Sequence, residues 1–341
     1  MLGTEPTGPT PTLGPEADAQ EVARPMPHVL VSEWIDPDAL ALLGAAHDVT
    51  YAPEVHRDPA ALRAALADAA GWVVRNQTRV DAPALDAAPN LRVVARVGVG
   101  LDNLDLAALR ARCVAVTWAP GSNAASVAEY VLGALIHLWR RFGDATEHVR
   151  GGGWDRPAFM GEEAFGRTLG LIGMGDIGAR VARRAQAFGL HVVAYDPFVH
   201  EATFAVQELG VELLGLDEVL GRADAVSLHV PLTDATRGIL GEAALRRMRP
   251  GALLVNTARG GLVDEAALAR ALVDGHLGGA ALDVRPLEPP GADDPLARAP
   301  RLVLTPHVAG VTRQSNARAS MHVAHEVLRA LSGEPLRTPV R

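Results

Sequence analysis

Leu171-Ile172-Gly173-Met174-Gly175-Asp176-Ile177-Gly178 places a G-x-G-x-x-G pattern at the end of an apolar run and the start of an amphipathic one. The first glycine suits a tight turn, the second lets a pyrophosphate approach the backbone, and the third permits close packing of helix on strand. Alone, the pattern is weak. The next apolar run, His191-Val192-Val193-Ala194-Tyr195, ends in Asp196-Pro197, eighteen residues after Gly178, where a carboxylate would hold an adenosine ribose 2′-hydroxyl. A plain glycine turn between packed elements does not require that carboxylate. An aspartate here also repels a 2′-phosphate, so NAD is expected rather than NADP.

Working outward from this loop, apolar strands alternate with helical patterns in both directions. Downstream the strands are Thr168 to Gly173, His191 to Asp196, Asp224 to Leu228, Ala252 to Asn256, Gly279 to Val284 and Arg301 to Thr305, five or six parallel strands in a doubly wound unit. Upstream, His28 to Ser32, Gly71 to Arg75 and Leu91 to Val97 alternate with the helical stretches Asp38 to Ala46, Ala82 to Ala88 and Asp105 to Arg112. Between the two sets one long helix is expected from Ser122-Asn123 to about Arg150. It is apolar on more faces than one neighbour can cover. The final helix, Thr312 to Leu331, has no strand after it and should return to the first unit. The predicted fold class is therefore α/β with two doubly wound parallel-sheet domains. A Rossmann NAD-binding domain (residues 122–310) is inserted in a flavodoxin-like substrate domain (residues 28–121 plus 311–341).

The 341 residues are a usual length for two domains. All 32 basic residues are arginine, so Schiff-base chemistry, a Walker-A lysine and a Tyr/Lys dehydrogenase pair are excluded. A net charge of −8 with scattered arginines argues against nucleic acid as a partner. One cysteine, Cys113, permits no internal disulfide and no thiolate metal site; beside Val114-Ala115-Val116 it is expected to be buried and inert. No metal is expected. Residues 1–27, with Pro6, Pro9, Pro11, Pro15, Pro25 and Pro27, are expected to form a disordered leader rather than a signal peptide. The most apolar helical stretch, Tyr130 to Trp139, is too short to span a bilayer, so a cytoplasmic protein without membrane contact is expected.

Ligands of such folds bind at the carboxyl edge of the sheet, so the later strand ends should carry the chemistry. Asn256-Thr257-Ala258-Arg259-Gly260-Gly261 follows one strand, Leu282-Asp283-Val284-Arg285-Pro286-Leu287-Glu288 the next, and Thr305-Pro306-His307-Val308-Ala309-Gly310 the last. An arginine, a carboxylate and a histidine at successive strand ends suit a substrate clamp, an orienter and an acid/base. Singly, each is as well explained by a surface ion pair or a cap; together beside a dinucleotide loop they are not.

These stretches, with Arg96-Val97-Gly98-Val99-Gly100-Leu101-Asp102-Asn103, Gly121-Ser122-Asn123-Ala124-Ala125-Ser126 and Leu228-His229-Val230-Pro231-Leu232-Thr233, resemble the D-isomer-specific 2-hydroxyacid dehydrogenases. The resemblance runs from about Asp38 to Leu331. It implies an oxidoreductase in which His307 is the acid/base, Glu288 bonds its other ring nitrogen and Arg259 binds the substrate carboxylate and C2 oxygen. It further implies that the amides of Val99 and Gly100 hold the carboxylate. Asp283 and Ala258 would meet the nicotinamide carboxamide, and His229, Pro231 and Thr236 would line the cofactor groove. The remaining cofactor candidates are Gly173, Met174, Gly175, Asp176, Ile177, Gly178, Asp196, Pro197, Thr257 and Gly310, and the remaining substrate candidates are Arg75, Asn76 and Asn123. Arg285 stands where the family often has an aromatic residue.

The substrate expected is a small 2-hydroxy or 2-oxo acid. Arg75 ends a first-domain strand, with Asn76 and Thr78 after it, and is expected to face a second anion on C3, as in 3-phosphoglycerate. Sulfolactate, glycerate with hydroxypyruvate, and an NAD-sensing corepressor are the alternatives; phosphite or formate oxidation would use the same loop with another pocket. The resemblance and the apolar helix after Asn123 both imply a homodimer.

Overall fold

The computed structural model describes residues 26–340; of the expected leader only Met26 and Pro27 fall among them. Two parallel sheets organise the chain. The first runs β2-β1-β3-β4-β5, with β1 His28–Val31, β2 Asp48–Tyr51, β3 Ala69–Val74, β4 Val93–Arg96 and β5 Ala115–Trp118. The second runs β12-β11-β10-β9-β6-β7-β8. Its strands are β6 Thr168–Ile172, β7 His191–Tyr195, β8 Glu212–Leu213, β9 Ala225–Leu228, β10 Leu253–Asn256, β11 Gly279–Leu282 and β12 Leu302–Leu304. Strands β3, β9, β10 and β11 are buried throughout their length, which is why, apart from Ser227 and Asn256, they read as continuous apolar runs rather than alternating ones.

Each order reverses once, between β1 and β3 in the first sheet and between β6 and β9 in the second. Loops leaving adjacent strands in opposite senses open a crevice at the carboxyl edge. The final helix, Arg313–Ser332, returns to the first sheet as expected: Ala319, Val323, Ala324, Val327 and Leu331 pack with Val29, Val31, Val73 and Val93. Thr312 caps it by accepting from the Ser315 amide at 3.1 Å.

Four expectations are corrected. The helix drawn to Arg150 breaks at Arg141, which adopts φ 53°, ψ 39° and separates Ala124–Arg140 from Phe142–Arg150. The left-handed residue ends the first helix, and its guanidinium is tied to Asp144 and to the Ala158 carbonyl at 2.9 Å. The apolar faces of the first helix are covered within the chain, Val131, Leu135, Leu138 and Trp139 packing on Leu169, Leu171 and Leu253. The second sheet has seven strands because two-residue β8, on the edge, carries no periodic signal. Cys113 is exposed, not buried: it follows the helix Leu106–Ala111 with φ 54°, so its side chain leaves the sheet before β5 begins.

Candidate active site

The glycine loop turns from β6 into the helix Asp176–Ala187. Gly173 has φ +103°, and a Cβ there would lie 2.7 Å from the His229 carbonyl oxygen; a Cβ on Gly178 would lie 2.3 Å from the Gly173 oxygen. Nothing stands within 4 Å of the place a Gly175 Cβ would take. The turn and the packing contact are thus glycine-dependent, and the open position faces the helix N-terminus, where backbone amides favour an anion. Asp196 closes the loop: Oδ2 accepts from the Met174 amide at 2.8 Å and Oδ1 from the Phe198 amide at 2.9 Å. The Met174 amide is therefore already used, and Pro197 is exposed beside it. Asp176 is the wrong sign for a pyrophosphate; it pairs with Arg180 at 2.8 Å and borders Gly121. Of Asp176 and Ile177 only the backbone suits a phosphate.

Three buried polar atoms around this groove, His229 Nε2, Thr257 Oγ1 and Asn123 Oδ1, have no partner among the described residues. Unpaired buried groups are costly, and here they point to a polar ligand. Burial pushes His229 down to about 4, so its ring is neutral at pH 7. Asn123 packs its amide against Gly310, where a Cβ would meet Nδ2 at 2.5 Å. The Thr236 hydroxyl is spent locally, donating to the Pro231 carbonyl at 2.6 Å and accepting from the Thr233 amide at 2.8 Å. That residue shapes the groove's rim, whereas the neighbouring Ala258 amide is fixed by Asn256 Oδ1 at 3.0 Å.

At the ends of β11 and β12, His307 Nδ1 stands 2.9 Å from Glu288 Oε2, leaving Nε2 for a substrate. Glu288 Oε1 accepts from the Arg285 amide at 3.0 Å, so both oxygens are engaged. His307 itself has φ 57°, a conformation few L-residues adopt. Asp283, 1% exposed, holds it there. Its Oδ1 accepts from Thr305 Oγ1 at 2.5 Å and the Val308 amide at 2.7 Å, and Oδ2 from the Ala309 amide at 2.7 Å. The carboxylate expected to meet a nicotinamide carboxamide is thus first the clasp of the histidine turn, with one lone pair left on Oδ2.

The other wall comes from the first sheet. Arg259 crosses to it, bonding Asp102 Oδ2 through Nη2 at 2.8 Å, and a Cβ on Gly100 would lie 2.3 Å from that Nη2. Burial would raise Asp102, but the Arg259 hydrogen bond and charge bring it below the usual carboxylate range. Arg75, at the β1/β3 reversal, is held by the Trp34 carbonyl at 3.3 Å and Asn316 Oδ1 at 3.0 Å rather than by a carboxylate. Asn76 is exposed. Burial depresses Arg75, and burial with the adjacent Arg75 charge brings Arg96 down to about 10. Both stay charged at pH 7.

Glu33, Arg96 and Asn316 escaped the sequence reading. Glu33, 4% exposed, accepts from the amides of Arg75, Gln77 and Thr78 and so fixes their loop. Arg96 ends β4 with Nε buried and without a partner among the described residues. A charge closing an apolar strand was the available signal for Arg96; Asn316 offered none, being 241 residues from Arg75. Among the described residues no cluster of His, Cys, Asp or Glu is arranged for a metal, and no helix is long and apolar enough to cross a membrane.

A glycine loop of the dinucleotide-binding pattern, a histidine–carboxylate pair and an arginine thus stand together on facing sheet edges. Residues 132–309 match the family described as D-isomer specific 2-hydroxyacid dehydrogenase, NAD binding domain. The (S)-sulfolactate dehydrogenase of Chromohalobacter salexigens is 48% identical over 308 residues, 90% of this chain and 99% of that protein. The D-3-phosphoglycerate dehydrogenase of Mycobacterium tuberculosis is 46% identical over 91% of this chain, which spans 58% of that relative's length. Among solved structures, the TT0316 protein from Thermus thermophilus superposes with a TM-score of 0.85 at 36% identity, over 92% of this chain and 100% of that one. The chain belongs to the D-isomer specific 2-hydroxyacid dehydrogenase family, and the part matched is that family's NAD binding domain.

Proposed function

We propose that this chain interconverts a D-2-hydroxy acid and its 2-oxo acid, and that the preferred acid carries a second anion on C3, 3-phosphoglycerate being the first choice. The observation that carries the proposal is the His307–Glu288 pair at the cleft that Arg259 crosses, with Arg75 and Arg96 gathered beyond it. In oxidation, neutral His307 removes the hydroxyl proton at Nε2 while Glu288 stabilises the ring as it becomes charged; in reduction the imidazolium returns that proton. Arg259 leaves Asp102 for the C1 carboxylate and C2 oxygen, its planar fork matching them in two places, and the Val99 and Gly100 amides close on the same carboxylate. NAD, when bound, supplies or accepts the hydride at C2; Asp196 would hold its ribose, the Gly173–Gly178 turn its pyrophosphate, and His229, Thr257, Gly310 and Asp283 the nicotinamide end.

The second anion is assigned to Arg75 and Arg96 because Arg259 suffices for C1, and Arg96, whose Nη1 donates to the Val97 carbonyl at 3.1 Å, keeps an Nε without a partner among the described residues. Sulfolactate meets the same requirement, and the near full-length similarity to a sulfolactate dehydrogenase supports that second reading. The test is NADH oxidation with phosphohydroxypyruvate, sulfopyruvate, hydroxypyruvate, glyoxylate and pyruvate, in wild type, His307→Ala and Arg96→Ala. Expected are a kcat lowered about 10²–10⁴-fold by His307→Ala and a preference over pyruvate of more than about tenfold that Arg96→Ala removes. Unaltered turnover without His307 refutes the mechanism; a preference that survives Arg96→Ala refutes the anion assignment.

We also infer a homodimer. The segment after the long helix carries five exposed large apolar residues, Phe142, Val149, Trp154, Met160 and Phe165, of which Trp154 and Met160 are exposed by 80% or more. Apolar exposure of that extent along one stretch marks a contact, and a two-fold partner covers it with the same residues. A monomer by light scattering at micromolar concentration refutes it.

A further inference from the structure

We propose that Arg285 is a positioning residue for the reaction, fastening the loop of Arg259 to the loop of Glu288 through a buried three-charge knot. Its side chain is 8% exposed, and those of Glu265 and Asp294 are each 12% exposed. Nε and Nη2 meet Glu265 Oε1 and Oε2 at 2.6 and 2.9 Å; Nη2 and Nη1 meet Asp294 Oδ1 and Oδ2 at 2.6 and 3.2 Å. Both contacts are bidentate, a geometry available to a planar guanidinium.

The knot matters because of what its members carry. Glu265 opens the helix Glu265–Val273, a few residues after Arg259. Between them Gly260 lies directly on the Arg285 backbone, where a Cβ would stand 1.9 Å from the Arg285 carbonyl carbon, so no side chain separates the two loops. Asp294 pins the far end of the loop after Glu288 and also accepts from the Leu296 amide at 2.9 Å. The Arg285 amide meanwhile donates to Glu288 Oε1 at 3.0 Å, and Glu288 Oε2 holds His307 at 2.9 Å. One residue thus sets by its main chain the carboxylate that orients the histidine, and by its side chain the distance between that carboxylate and the arginine clamp. A buried charge placed between two carboxylates resists displacement, since moving it strands charges out of water. An aromatic residue here would fill volume but offer no such fixed register.

The consequence rests on the dehydrogenase reading, and the test separates the two. In Arg285→Met we expect kcat for the preferred 2-oxo acid to fall at least tenfold, with KM for NADH within twofold and a larger isotope effect with deuterated NADH. We also expect the downfield Nδ1 proton signal of His307 to be lost in 15N-histidine-labelled protein; that signal is assigned by its absence in His307→Asn. Arg285→Lys, which keeps the charge, should restore the signal and part of kcat. If Arg285→Met does not fold, Glu265→Gln decides, with a smaller fall in kcat expected in the same pattern. Folded Arg285→Met with unchanged kcat and His307 signal, or Glu265→Gln with unchanged kcat, overturns the proposal. A wild-type protein inactive on every 2-oxo acid overturns the reaction instead, and the His307 signal still reads the positioning role.

Discussion

Asp283→Asn removes charge from the clasp that holds His307 while changing almost nothing in volume. The carboxylate takes three donors, Thr305 Oγ1 and the Val308 amide on Oδ1 and the Ala309 amide on Oδ2, in a site 1% exposed. An asparagine has one oxygen. In its better orientation that oxygen keeps the two Oδ1 donors, and the new NH2 faces the Ala309 amide, donor against donor. One charge-assisted bond worth about 1.5–3 kcal/mol is lost, and a buried donor without a partner adds about 1–3 kcal/mol. We expect the variant to be less stable by about 2.5–6 kcal/mol, a fall in Tm of roughly 5–24 °C for domains of this size. The positive φ at His307 then has less to hold it, so kcat should fall about 10–100-fold while the glycine loop, which Asp283 does not touch, keeps its affinity for NADH's ADP portion. Tm by calorimetry, kcat by NADH oxidation and ADP-ribose binding by titration check each part. A Tm within 2 °C of wild type together with kcat within about twofold refutes the clasp.

Asp196→Ala should relax the cofactor preference, since it removes a ribose acceptor worth roughly 1.5–3 kcal/mol and the charge that repels a 2′-phosphate; equal use of NADPH and NADH by wild type contradicts this. His229, neutral and held down at about 4 by burial against an ordinary 6.5, makes stability complete above pH 6.5. As pH falls the unfolded chain takes up the proton first, so stability declines down to about pH 4, by about 2 kcal/mol at pH 5. His229→Gln should flatten the acid side of the Tm–pH curve of the cofactor-free protein, and superimposable slopes rule the effect out. Asp102→Asn frees Arg259 from a pair whose partners are 31% and 69% exposed, and which water screens to at most about 1 kcal/mol. KM for the oxo acid should drop up to about fivefold at low salt and less at high salt, and a raised KM would show that Asp102 helps binding.

Local rules decided much of this protein. The glycine loop, the aspartate after β7 and the unbroken apolar strands are short-range patterns whose physics is complete within some thirty residues, and they stand where the sequence placed them. The strand-end positions of Arg259, Glu288 and His307 followed from the same alternation, because the end of an apolar run is the carboxyl edge of a parallel sheet. Partnership was decided only by the tertiary structure. Nothing local shows that Asp283 turns back on the histidine turn, that Arg259 crosses to Asp102, or that Arg75 finds Asn316 on the last helix, since each joins elements that the fold alone brings together. Arg285 is the sharpest case. In sequence it is a lone charge between Val284 and Pro286; its meaning lies in two carboxylates nine and twenty residues away, and burial makes that meeting costly to break.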